Sequence, residues 1–73
     1  MVKTIYSRQF KEIAEKLGKT RKEAGLTQKQ VAEYLKKPQS YISKVEAGQQ
    51  RIDIIELSLF AKLYKKPIDY FIS

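Results

Sequence analysis

Gly25-Leu26-Thr27-Gln28-Lys29-Gln30-Val31-Ala32 opens the stretch that decides the fold, and Gln39-Ser40-Tyr41-Ile42-Ser43-Lys44-Val45-Glu46-Ala47-Gly48 closes it. Thr27, followed three residues later by Gln30, is the reciprocal pairing that satisfies two orphan amides at a helix start. Val31, Ala32 and Leu35 then share one face of a short helix. Lys36-Lys37-Pro38 ends it, because the residue before a proline is driven out of the α region while proline suits a first helical position. A second short helix starts near Gln39. Ile42 and Val45 are its inward residues, and Gly48 is placed to give it a left-handed end. Gln39, Ser40, Ser43 and Lys44 are left on a polar outer face. Two short helices, a tight turn and an apolar inner angle make a helix-turn-helix, here at about residues 28–47. Ala32 falls where the helices cross, and a larger side chain there would hold them apart.

Working outward, Phe10, Ile13, Ala14, Leu17, Arg21 and Ala24 recur at helical spacing upstream, with Ser7 as the expected N-cap and Gly25 as the stop. Gly18 weakens this helix by roughly 1 kcal/mol relative to Ala without breaking it. Downstream, Asp53 and Glu56 repeat the capping box, and Leu57, Phe60, Ala61 and Tyr64 line an apolar helix over 54–64. Pro67 to Ile72 gives one or two further turns. The run Ala32…Lys36-Lys37-Pro38…Tyr41 is echoed by Ala61…Lys65-Lys66-Pro67…Tyr70, which reads either as an internal repeat or, in preference, as one helix-stop, helix-start chemistry used twice. With no alternating strand pattern, the reading is all-α: helical segments throughout, in one domain over 1–73.

Composition removes most functions. The chain has 73 residues, 15 Lys and Arg against 8 Asp and Glu, and no Cys, His or Trp. Without Cys or His there is no disulfide, thiolate nucleophile, imidazole metal ligand or neutral-pH base, so zinc sites and triad hydrolases are excluded. Asp53, Glu56 and Asp69 do not cluster as metal-binding carboxylates and read as caps and surface. The expectation is a non-enzyme with no metal, cofactor or small-molecule ligand. No apolar run approaches the roughly 18 residues of a membrane span, and the start of the chain lacks a signal-peptide core, which points to the cytoplasm. Of the net charge of +7, all lies in residues 1–52, where 12 basic side chains face 5 acidic ones; residues 53–73 carry three of each. Such a field favours nucleic acid or an anionic membrane, and the basic residues are not set against one broad apolar face as a membrane-surface helix requires. An α-helix fits the major groove, and Gln, Ser and Lys match base edges there.

The two quoted segments, with their spacing, resemble the Cro/C1-type (XRE family) helix-turn-helix regulators. The likeness extends from about Arg21 to Phe71 and takes in Phe60-Ala61-Lys62-Leu63-Tyr64 and Pro67-Ile68-Asp69-Tyr70-Phe71. It implies a five-helix, lambda-repressor-like DNA-binding fold whose third helix, about 39–47, enters the major groove of operator DNA, usually as a two-fold homodimer. By this resemblance Gln39, Ser40, Ser43 and Lys44 face bases, with Gln39 best suited to adenine and Lys44 to guanine or phosphate. Gln28 would bond a backbone phosphate and abut the recognition helix. Arg21 and Glu46 would form a structural ion pair linking helices 1 and 3.

Tyr41, Gln49, Gln50 and Arg51 are expected at the phosphates, and Lys29, with Lys36 and Lys37, in more diffuse attraction. The competing reading for each is a solvated surface residue or a loop that satisfies itself. Three positions depart from the family pattern. Lys36 stands where Gly usually takes a left-handed conformation, at a cost of about 1 kcal/mol or a changed turn; Lys37 replaces an apolar residue and Pro38 a capping hydroxyl. Ile68, Tyr70, Phe71 and Ile72 are available either as a dimer contact or to close the monomer's own core. The implied function is sequence-specific double-stranded DNA binding by a transcriptional regulator, a repressor before an activator. The alternative is a protein-binding adaptor or antitoxin on the same fold.

Overall fold

The structure is a computed structural model that describes residues 2–72, with side chains from Phe10 onward. Five helices follow in order: α1 (Val2–Glu23), α2 (Gln28–Leu35), α3 (Gln39–Glu46), α4 (Ile54–Leu63) and α5 (Asp69–Ile72). Among the described residues the architecture is all-α with five helices, as expected. α1 starts earlier than expected. It runs through Ser7 instead of being capped by it, because residues 3–9 contain neither Gly nor Pro and a helix once nucleated propagates through such a segment.

Helix starts and stops follow from local chemistry. At α2 the Gln30 amide donates to Thr27 Oγ1 at 3.1 Å, and the Thr27 amide donates to Gln30 Oε1 at 2.8 Å. At α4 the Glu56 amide donates to Asp53 Oδ1 at 2.7 Å, and the Asp53 amide to Glu56 Oε1 at 3.1 Å. Four helix ends share one motif: a residue with positive φ, then an amide reaching back five residues. Gly25 and Gly48 take it at φ 76° and 75°, and Lys36 and Lys65 at 58° and 59°. The following amides of Leu26, Gln49, Lys37 and Lys66 donate to the carbonyls of Arg21, Lys44, Ala32 and Ala61 at 2.8–3.1 Å. Both halves of the sequence echo therefore end in the same left-handed cap. Lys36 thus adopts the left-handed conformation that Gly takes without a Cβ penalty.

The core comprises Leu17 of α1, Val31 and Ala32 of α2, Ile42 and Val45 of α3, Leu57, Phe60, Ala61 and Tyr64 around α4, and Phe71 of α5. Phe71 is 2% exposed, so it closes the core and is removed from any dimer contact. Ile68 and Tyr70 pack partly buried against that core, while Ile72 is exposed. Ala24 is a second correction: it is exposed, and Thr20 at 2% exposure continues the inner stripe after Leu17. The stripe of a straight helix drifts around its axis, and the chain leaves the bundle at Gly25. The Cα radius of gyration, 11.5 Å, matches the roughly 11 Å expected of a close-packed chain of this length.

Candidate nucleic-acid interface

α3 divides sharply into two faces. Ile42 and Val45 have no solvent exposure, whereas Gln39, Ser40, Ser43 and Lys44 are all exposed. The offsets of one, four and five residues put these four side chains on one side of an eight-residue helix. Together they offer amide, hydroxyl and ammonium groups, each able to bond a base edge or phosphate. Pro38 precedes the helix with extended geometry and no side-chain cap, so the first amides of α3 gain no hydroxyl partner from that residue.

One carboxylate fixes this helix to the scaffold. Glu46 Oε2 accepts from Arg21 Nε at 2.8 Å, and its Oε1 accepts from Gln28 Nε2 at 3.1 Å. Arg21 Nη1 in turn donates to the Leu26 carbonyl at 2.8 Å. The side chains of Arg21 and Glu46 are only 11% and 9% exposed, so α1, the start of α2 and the end of α3 are tied at one nearly dry point. Tyr64 lies beneath it. Burial raises its hydroxyl above the usual tyrosine range, the charge of Glu46 adds to this and Arg21 opposes it.

The remaining residues fall into three groups. Lys29 and Gln49 are exposed at the start of α2 and after α3, and Arg51 is exposed in the same loop. Gln50 is half-buried and its side-chain Nε2 donates to the Arg51 carbonyl at 3.2 Å, so this donor serves the loop itself. Tyr41 needs correction as a phosphate donor: its hydroxyl is enclosed beside the Glu56 carboxylate and turned away from solvent. Burial, then the neighbouring charge of Glu56, raises its pKa. The Lys37 ammonium sits 5.0 Å from the Tyr41 ring centroid and 3.5 Å from Glu56 Oε2. This cluster, joining the turn, α3 and α4, has no local signature in the sequence. Glu56 was legible only as a cap, and nothing in a spacing of 19 residues signals the pair.

A family model described as Helix-turn-helix matches residues 17–71. The chain belongs to the Cro/C1-type helix-turn-helix family. This is a family of DNA-binding regulators and not of enzymes. The Cro/C1-type match spans the ion pair, both helices of the helix-turn-helix, and the α4 and α5 scaffold that backs them. Comparison with curated proteins gave no match. Among the described residues no helix is long and apolar enough to cross a membrane.

Proposed function

We propose that α3 lies along the major groove of operator DNA and that Gln39, Ser40, Ser43 and Lys44 read base edges there, in a transcriptional regulator acting as a repressor. The observation carrying this reading is the two-faced α3, hydrogen-bonding groups outward and Ile42 and Val45 sealed inward, held by the Arg21–Glu46–Gln28 tie. Gln28, Lys29, Gln49 and Arg51 border that face and set its register on the phosphates. A helix of eight residues is only about 12 Å long and spans a few base pairs. Two copies on a two-fold site, recognition helices about 34 Å apart, make a site long enough to be specific. Exposed Ile54, Ile55 and Leu59 of α4, with Ile72 of α5, supply apolar surface for that pairing. A pair seated across a duplex blocks other proteins from it, which is repression by occupancy. Such a protein works in the compartment that holds the DNA, the cytoplasm.

Duplex titrations test the reading. Gln39→Ala should lower operator affinity by about 1–3 kcal/mol while leaving the salt dependence of binding unchanged. Lys29→Ala should weaken binding to all sequences alike and make the slope of log K against log salt shallower by about 0.9. Outer-face variants that bind like the parent would remove the reading. Retention of a protein partner without salt-sensitive binding to any duplex would replace it with the adaptor function.

A further inference from the structure

Lys37 stands in the turn immediately before α3, within the basic stretch 1–52 of the chain, yet its charge is already engaged. Its ammonium lies 3.5 Å from Glu56 Oε2 and 5.0 Å from the centre of the Tyr41 ring. Glu56 is itself held, since its other oxygen accepts from the Asp53 amide at 3.1 Å and its own amide donates to Asp53 Oδ1 at 2.7 Å. The capping box of α4 therefore fixes a carboxylate where the turn lysine reaches it, and the Tyr41 ring, its hydroxyl covered, forms a platform under the lysine ammonium. On a chain of net charge +7, every lysine free to swing beside the recognition helix adds to sequence-independent attraction for phosphate.

We propose that Glu56 is a specificity-determining residue: by holding Lys37 against the end of α4 it keeps this lysine off the phosphates of non-operator DNA. The inference rests on the functional reading above. In a specific complex, base contacts fix the protein's register, so a released Lys37 has little freedom to find a new phosphate. In a non-specific complex the register is loose, and a released lysine adds one contact. The tie is part-exposed, so its own contribution to stability is small. Its effect lies in where a charge is spent.

The test measures non-operator duplex affinity across a salt series for the parent and three variants, with melting temperature as the folding control. Glu56→Gln keeps an oxygen for the Asp53 amide and loses the charge. It should steepen the slope of log K against log salt by about 0.9, one phosphate contact, and lower the ratio of operator to non-operator affinity several-fold at low salt. Lys37→Met should leave the slope at the parent value. The double variant should return the steepened slope to that value, which separates release of Lys37 from mere loss of a negative charge. A steep parent slope left unchanged by Glu56→Gln would overturn the proposal alone, as would a slope made shallower by Lys37→Met. A flat parent slope would remove the functional reading and this proposal together.

Discussion

At the residue scale, Glu46 does most to connect scaffold and interface. Its two oxygens serve Arg21 and Gln28 at a point almost closed to water. Truncating it leaves a guanidinium with only the Leu26 carbonyl and an amide with no acceptor. Breaking a buried pair by removing one partner costs about 3–5 kcal/mol. A domain of this size holds roughly 4–11 kcal/mol in total. Glu46→Ala should therefore lower the urea midpoint sharply or unfold the chain; a melting temperature and amide-shift dispersion like the parent's would show that the tie is idle. The residue types of this pair were readable from the family pattern. The second acceptor bond to Gln28 was not, because it depends on how far α2 leans over α3.

At the element scale, the four left-handed helix ends differ in how comfortably they are made. Gly25 and Gly48 adopt positive φ without a Cβ penalty, and Lys36 and Lys65 adopt it with one. Lys36→Gly and Lys65→Gly should each stabilise the fold by up to about 1 kcal/mol, additively since the sites belong to separate helices. Loss of stability in either variant, measured by urea denaturation, would show that the lysine side chain contributes more than the strain it carries. Capping boxes and apolar periodicity made α2, α3 and α4 legible in the sequence because both act within a few residues. The start of α1 was misread for the converse reason: Ser7 has capping chemistry, but a cap forms only where a helix has cause to begin. Tyr41 shows the same limit at the interface. Its place beside the polar residues of α3 suggested a phosphate donor, and packing against α4 turned its hydroxyl inward.

Across the whole molecule, the chain has no histidine, and Tyr41 and Tyr64 are groups whose titration folding changes. Burial raises both hydroxyls above the usual range near pH 10, with Glu56 and Glu46 adding to the shift. The folded state then holds protons that the unfolded state releases. Stability from this source is full below pH 10 and falls as pH rises beyond it. Urea midpoints should reflect this fall above pH 10, with the Tyr41 and Tyr64 phenolates appearing only as the chain unfolds. Phenolate absorbance that develops fully while the helices persist would contradict it. Net charge and its concentration in residues 1–52 were plain in the sequence, but composition could not tell which lysines are free, and Lys37 is not.

Whether the outer face of α3 reads DNA sequence is decided by selecting bound duplexes from a random pool with the parent protein. One preferred sequence should emerge, arranged as two related half-sites about 10 base pairs apart. A bound pool that stays random in sequence would show that this face does not read bases.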